Sequence, residues 1–134
     1  AVRLRPREAS LYHEMGMAYG RRKAWEAAIE ALARAAELDP DNREYAKKLG
    51  FALARAGRFD QSLAYLGRVL GQAKAHYYVG RMMLHVGQTE AAKGQLQMAL
   101  RLDPKMGEAR RELARVEITN PTYTQVNHEE PAQP

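Results

Sequence analysis

Apolar residues recur every three or four positions along the chain as far as Ile118, the spacing that places them on one face of a helix. Glycine or an Asp-Pro pair interrupts this pattern at regular distances, and each interruption predicts the end of a helix. Gly57 and Gly87 stand where a left-handed residue can close a helix, and Asp41 or Asn42 can cap the helix that follows. The pattern therefore predicts seven helices joined by short turns, at about 9–21, 25–38, 43–56, 59–71, 73–86, 89–102 and 106–118.

One motif of large and small residues returns three times within these helices. Its copies are Tyr12-x-x-Met15-Gly16-x-x-Tyr19, Ala46-x-x-Leu49-Gly50-x-x-Leu53 and His76-x-x-Val79-Gly80-x-x-Met83. Each copy is followed at a fixed offset by a small residue and a Leu, namely Ala28 and Leu32, Ser62 and Leu66, and Ala92 and Leu96. Gly16 and Gly50 are 34 residues apart, whereas Gly50 and Gly80 are 30 apart. The second unit is therefore shorter by about one helical turn, and we expect a shorter helix or a tighter turn near Gly71.

These units resemble the tetratricopeptide repeat, an antiparallel helix pair of about 34 residues with the pattern W-x2-L-G-x2-Y, then A-x3-F, then P. The first unit matches with Tyr12 in place of Trp and then Met15, Gly16, Tyr19, Ala28, Leu32 and Pro40. The resemblance implies an all-α right-handed superhelix, or α-solenoid, of about three antiparallel helix pairs plus a C-terminal capping helix. It implies units at 9–42, 43–72 and 73–106, a capping helix at 107–118 and an extended polar tail at 119–134. Residues 1–8 echo the end of a repeat and are expected to close a preceding, truncated one.

Composition excludes several kinds of chemistry. The chain has no Cys, so disulfides and thiolate metal sites are excluded. Its histidines lack metal-ligand spacing, and neither a glycine-rich phosphate loop nor a Ser in a nucleophile context is found. No apolar run approaches the ~20 residues of a membrane-spanning helix. We therefore expect a non-enzymatic protein with no catalytic residue, no cofactor, no metal and no membrane partner.

The formal net charge is +5, and a basic surface favours acidic partners. In the tetratricopeptide family the first helix of each pair lines a concave groove. The groove residues that the resemblance implies are His13, Met17, Arg21, Lys47, Phe51, Arg55, Lys74, Tyr77, Arg81, His85, Arg111 and Arg115. Most charged residues in this set are cationic. The other groove-facing positions of the same helices add two acidic residues, Glu44 and Glu108. Such a groove suits an extended acidic peptide, and we expect a protein–protein interaction module that binds one.

Some members of the family hold the acidic C-terminal tails of heat-shock chaperones with a Lys/Asn carboxylate clamp. Lys47 and Lys74 occupy lysine positions of that clamp. Phe51 stands where the clamp needs Asn, and Tyr78 stands where it needs a second cation. The sequence therefore argues against this specificity.

Two hypotheses concern self-association. The tail at 119–134 contains Tyr123, Val126 and an acidic pair, so it can occupy the groove of its own chain or of a neighbouring copy; it can equally rest outside the capping helix. If a preceding repeat is missing, the Tyr12 and Tyr19 side of the first pair is partly bare and invites association with a second copy.

Two further classes of function stay open. The chain can be an accessory repeat region of a larger enzyme or of a secretion or assembly protein. A basic nucleic-acid-binding solenoid is the weaker alternative, because the cations are spread around the helices and no aromatic platform or recognition motif accompanies them.

Overall fold

The computed structural model describes residues 5–119, and within that range every regular element is a helix. The helices are α1 (Arg5–Arg21), α2 (Trp25–Leu38), α3 (Arg43–Arg55), α4 (Phe59–Leu70), α5 (Gln72–His85), α6 (Thr89–Leu102) and α7 (Gly107–Thr119). Each helix packs against the next one along the chain, and α3 also contacts α5. This arrangement is an α-solenoid, so the predicted fold class is confirmed.

The helix bounds follow the sequence signals closely. Every helix after α1 begins and ends within one residue of its predicted position, while α1 begins at Arg5 and runs without a break through residues 5–8. Asn42 caps α3, because its side-chain oxygen accepts hydrogen bonds from the Glu44 and Tyr45 backbone amides at 3.0 and 3.3 Å. No helix in residues 5–119 is both long enough and apolar enough to cross a membrane.

Close approach within a pair depends on a small residue in its first helix. A Cβ atom added to Gly16 would lie 2.6 Å from the Leu32 Cγ, a distance at which something must move. Glycine therefore allows α1 and α2 to pack closely, with Leu32 itself buried.

The core continues from one pair to the next. Leu32 and Ile29 of α2 pack against Leu49 and Leu53 of α3. The second helix of one pair thus covers the first helix of the following pair. Equivalent clusters join α4 to α5 and α6 to α7; their buried members are Leu66, Ala75, Val79, Met83 and Ala92 in one, and Tyr77, Leu96, Ala99, Met106 and Ala109 in the other.

The second unit is compressed in two ways. Helix α4 has 12 residues, whereas α2 and α6 have 14 each. Gly71, with φ of 91°, is the one residue between α4 and α5, whereas residues 39–42 join α2 to α3. Both the shorter helix and the tighter turn expected from the sequence are therefore present. The tail was predicted at 119–134. Thr119 is the last residue of α7, and residues 120–134, on which the hypothesis that the tail occupies the groove depends, lie outside the described range.

Candidate functional site

Helices α3, α5 and α7 line an open cleft of about 450 Å3. Its lining residues are Phe51, Ala54, Arg55, Tyr78, Arg81, Met82, Leu84, His85, Glu112 and Arg115. We call it the basic cleft, because three arginines and a histidine face one carboxylate.

The arginines of the basic cleft differ in their neighbours. The Arg55 Cζ lies 5.3 Å from the centre of the Trp25 ring, and the Arg81 Cζ lies 5.7 Å from the centre of the Tyr77 ring. No carboxylate of residues 5–119 lies within ion-pair distance of these two guanidinium groups. Stacking on a ring orients a guanidinium and leaves its edge N–H groups available to donate. Arg115 instead donates to Glu112 Oε2 at 2.7 Å.

Aromatic rings form the floor of the basic cleft. The Phe51 and Tyr78 rings meet edge to face, with centroids 5.3 Å apart. Tyr77 supports Tyr78 from the side, at 5.1 Å between centroids, and is itself part of the core. Edge-to-face packing holds these rings in one arrangement, so the floor is formed before any ligand arrives.

A second cleft of about 250 Å3 adjoins the first and is lined by α1, α2 and α3. Its lining residues are Gly16, Met17, Gly20, Arg21, Trp25, Ala28, Leu32, Lys48, Phe51, Ala52 and Arg55. We call it the apolar cleft, because most of its lining residues are apolar or glycine. It shares Phe51 and Arg55 with the basic cleft, so these two residues separate neighbouring clefts.

The structure brings together some of the groove residues predicted from the sequence. Those that line one or both clefts are Met17, Arg21, Phe51, Arg55, Arg81, His85 and Arg115. The others line neither cleft; they are His13, Lys47, Lys74, Tyr77 and Arg111.

Three of the predicted residues that line neither cleft have other contacts. Tyr77 is only 9% exposed, because the core cluster that includes Leu96 covers its ring. His13 lies beside Tyr45, with ring centroids 4.8 Å apart. Lys47 lies 3.3 Å from the Glu44 carboxylate, which reduces its charge as seen by a ligand.

Residues outside the predicted set also contribute to the clefts. Trp25 forms a wall of the apolar cleft, although it belongs to a second helix and the prediction considered first helices only. Glu112 on α7, which is not among the predicted groove residues, lines the basic cleft with a side chain that is 16% exposed. Its position three residues before Arg115 was the available signal, since that spacing puts both on one helix face.

No group of His, Cys, Asp or Glu side chains within residues 5–119 is arranged to hold a metal ion. The clefts instead offer oriented cations beside a fixed aromatic surface. This combination can bind carboxylates together with apolar side chains.

Comparison with known proteins points to the same repeat family as the sequence pattern. Residues 9–42 match the family model of the tetratricopeptide repeat. DnaJ homolog subfamily C member 7 of Mus musculus is 29% identical in an alignment of 110 residues that covers 79% of this chain and 22% of that protein. The chain therefore spans about a fifth of the length of this relative.

Solved structures extend the similarity from one unit to the fold. The tetratricopeptide repeat domain of Arabidopsis OM64 superposes with a TM-score of 0.58 at 19% identity, covering 86% of this chain and 98% of that one. The first such domain of Spaghetti (RPAP3), bound to the HSP90 peptide SRMEEVD, gives 0.55 at 22% identity, covering 84% and 92%. The resemblance drawn from the sequence is thus confirmed: residues 9–42 match the tetratricopeptide repeat, and the described chain has the fold of tetratricopeptide repeat domains.

Proposed function

We propose that the face formed by α1, α3, α5 and α7 binds an extended, acidic peptide segment of another protein, and that the chain works as a non-enzymatic interaction module. The observation behind this proposal is the pair Arg55 and Arg81 in the basic cleft. Both guanidinium groups are oriented by aromatic rings, and neither is neutralised by a carboxylate of the described residues.

The energetics favour a carboxylate ligand at these two groups. A guanidinium presents N–H donors in a planar fork that matches the two oxygens of a carboxylate, and such charged hydrogen bonds are the stronger ones. Because stacking already restricts Arg55 and Arg81, less side-chain entropy is lost on binding. The fixed ring floor of Phe51 and Tyr78 adds apolar contact for the peptide between its acidic residues.

A structural neighbour supports this kind of ligand. The first tetratricopeptide repeat domain of Spaghetti is bound to the peptide SRMEEVD, which contains acidic residues. Its likeness to this chain is one of fold, so it supports the use of this fold for acidic peptides. The residues that recognise the ligand here differ from a Lys/Asn clamp, since Phe51 and Tyr78 occupy two of the clamp positions. Arg55, Arg81 and Arg115 take that role in our proposal.

Isothermal titration with two peptides tests the proposal. SRMEEVD is compared with SRMQQVN, in which the acidic side chains are replaced by amides. We expect the acidic peptide to bind at least about tenfold more tightly, and its affinity to fall as salt is raised, because the cleft is open to solvent.

Variants show whether the basic cleft is responsible. The double change Arg55→Gln and Arg81→Gln is expected to weaken SRMEEVD by about tenfold or more. Arg68→Gln is the matched control: Arg68 is also exposed and stacked, 4.6 Å from the Tyr65 ring centre, but it lies on α4 outside both clefts. Equal binding of the two peptides, or equal losses in the double variant and the control, would overturn the proposal.

A further inference from the structure

We infer that the chain has a second binding surface, which takes an aromatic side chain of a partner protein with acidic residues beside it. The surface is a third cleft, of about 410 Å3, between α2, α3 and α4. We call it the back cleft; it is lined by Ala33, Ala36 and Ala46 together with Tyr65, Arg68 and Val69. A second surface goes beyond the proposed function, because it would let the chain hold two partners at once.

The back cleft is separate from the face of the proposed function. It shares no lining residue with the basic cleft or the apolar cleft. Ala46 lines the back cleft, Arg55 lines the other two, and they are nine residues apart on α3. Nine residues make about two and a half helical turns, so the two side chains leave α3 in opposite directions. A peptide in the basic cleft therefore leaves the back cleft free.

The second unit lacks a ring that the other two units have at this place. Ala46 is the first position of the repeated motif, where the first unit has Tyr12 and the third has His76. The Cζ of Arg34 on α2 lies 5.7 Å from the centre of the Tyr12 ring. The Nδ1 of His76 lies 2.6 Å from the Oε1 of Gln95 on α6. In both units the ring thus contacts the second helix of its own pair, whereas Ala46 leaves that space open.

Arg68 is placed to stack on an incoming ring. It is the counterpart of Arg34, since the two are 34 residues apart, as are the other equivalent residues of the first two units. With no ring at Ala46, the Arg68 Cζ lies over Tyr65 of its own helix, 4.6 Å from the ring centre. A partner's ring over Ala46 would meet Arg68 in the way that the first unit's own ring meets Arg34. A cation over an aromatic face favours a ring here above an aliphatic side chain.

The walls of the back cleft suit a flat apolar group. Ala33 and Ala36 line it from α2, and Tyr65 and Val69 line it from α4. All four are half-buried, so part of each surface is still open to contact. The volume is enough for one aromatic side chain and its neighbours in an extended segment.

Charge around the back cleft determines which residues can flank the ring. Arg43 and Arg68 line it, and no carboxylate of residues 5–119 lies within ion-pair distance of either guanidinium group. Arg43 donates to the Val69 carbonyl oxygen, which fixes its position. Glu37 also lines the cleft but is paired with Arg34 at 3.1 Å. The cleft therefore attracts Asp or Glu beside the ring and repels Lys or Arg there.

Three peptides with blocked ends test this inference on the full chain. They are SDYDS, SDADS, in which Ala replaces Tyr, and SKYKS, in which Lys replaces Asp. Nuclear magnetic resonance follows the backbone amides of the back cleft, since an acidic peptide can also enter the basic cleft. We expect SDYDS to shift these amides and to bind there about tenfold more tightly than either of the others. Equal affinities of SDYDS and SDADS would overturn the ring site, and equal affinities of SDYDS and SKYKS would overturn its preference for acidic flanks.

Filling the back cleft provides an independent test. Ala46→Tyr places in the second unit the ring that the first unit has, and we expect it to weaken SDYDS by at least about tenfold. Ala91→Tyr is the matched control, at an exposed position on α6 that lines none of the three clefts. Arg68→Gln alters an exposed side chain and is expected to weaken SDYDS about three- to tenfold. Thermal unfolding checks that each variant is folded. Equal affinities in Ala46→Tyr and Ala91→Tyr, or an unchanged affinity in Arg68→Gln, would overturn the inference.

Variants of the two faces separate this inference from the proposed function. The double change Arg55→Gln and Arg81→Gln is expected to leave the back-cleft affinity for SDYDS unchanged. If the shifts on α2, α3 and α4 disappeared in the double variant and persisted in Arg68→Gln, they would originate from the basic cleft, and the inference would be wrong. Absence of SDYDS binding at millimolar concentration, with SRMEEVD still bound, would overturn the back cleft alone. The reverse result would overturn the proposed function alone.

The same titrations distinguish a partner protein from two other occupants. A rise of about tenfold in SDYDS affinity in the variant Tyr123→Ala would assign the back cleft to the tail of the same chain. A similar rise on dilution of the unchanged chain would assign it to a second copy. Either result would overturn a partner protein as the occupant, and constant affinity in both experiments is the result we expect.

Discussion

Leu66 lies so close to Gly50 that a Cβ atom added to the glycine would be 2.6 Å from the Leu66 Cδ2 and 2.8 Å from its Cγ. This contact joins α3 to α4 at a point where Leu66 is fully buried. The equivalent contact of the third pair is looser, because a Cβ at Gly80 would be 3.2 Å from the Leu96 Cγ. The two helix pairs therefore differ in how tightly they pack at the same motif position.

Gly50→Ala is accordingly expected to lower the free energy of unfolding by about 1–3 kcal/mol through overpacking, partly offset by up to about 1 kcal/mol of helix propensity. Gly80→Ala is expected to change stability much less, because a neighbour needs to move by only a few tenths of an ångström. Urea unfolding followed by circular dichroism measures both.

Gly94→Ala isolates the propensity effect, since a Cβ at Gly94 has open space. It should raise the free energy of unfolding by about 0.5–1 kcal/mol. If Gly50→Ala proved as stable as Gly80→Ala, the close approach of α3 and α4 would not be a determinant of stability.

Lys23 adopts a left-handed conformation, with φ of 60°, in the turn between α1 and α2. The turns that follow α3 and α5 have Gly57 and Gly87 in the same conformation. A lysine there is strained by about 1–2 kcal/mol, whereas glycine is unstrained but loses somewhat more entropy on folding. Lys23→Gly is therefore expected to raise the free energy of unfolding by about 0.5–1 kcal/mol.

The neighbouring change Arg22→Gly is a suitable control, because Arg22 is outside the left-handed region and is equally exposed. It should lower stability slightly by the same chemical denaturation assay. A loss of stability in both variants would show that the turn tolerates lysine without strain.

The sequence was sufficient for the helices and for part of the site. Asn42 and the glycines at 57 and 87 mark helix ends by local rules, so the bounds could be predicted without tertiary information. The left-handed turn at Lys23 could not, because no glycine marks it. The same limit applies to burial. A register position says which face of a helix a residue is on, but only packing shows that Tyr77 is covered.

Two residues that line the clefts could not be predicted from the sequence. Trp25 lines the apolar cleft from a second helix, and Glu112 of α7 lines the basic cleft with a largely buried side chain. A rule that takes the groove residues from fixed positions of the first helices and the capping helix omits both. Both matter for the proposed recognition, since Trp25 lines the apolar cleft and Glu112 is the acidic group of the basic cleft.

Glu112→Gln is expected to strengthen the binding of an acidic peptide by about three- to tenfold. The change removes the carboxylate that lines the basic cleft and accepts a hydrogen bond from Arg115, so the local potential becomes more positive. Titration with SRMEEVD at low salt measures the gain. Glu30→Gln, at an exposed position on α2 outside both clefts, alters net charge equally and should have little effect. Equal gains in both variants would assign the effect to overall charge.

The outer side of α1 exposes apolar residues, including one whose equivalents in the second and third units are buried. Met15 is 47% exposed, whereas its equivalents Leu49 and Val79 are 2% and 0% exposed, because α2 and α4 cover them. Leu11 is 63% exposed, and no helix of residues 5–119 covers this side. An apolar face of this kind favours association.

We therefore expect the chain to associate reversibly as its concentration rises, as predicted from the sequence for this side of the first pair. Sedimentation velocity over a hundredfold range of concentration measures this, since the weight-average sedimentation coefficient should increase. The double change Leu11→Glu and Met15→Glu should abolish the increase, because each association would then bury like charges. Leu102→Glu, at a position that is 51% exposed on α6, is the control and should leave association unchanged. A constant sedimentation coefficient for the unchanged chain would show that this face does not associate with a second copy, and an equal effect of Leu102→Glu would place the contact elsewhere.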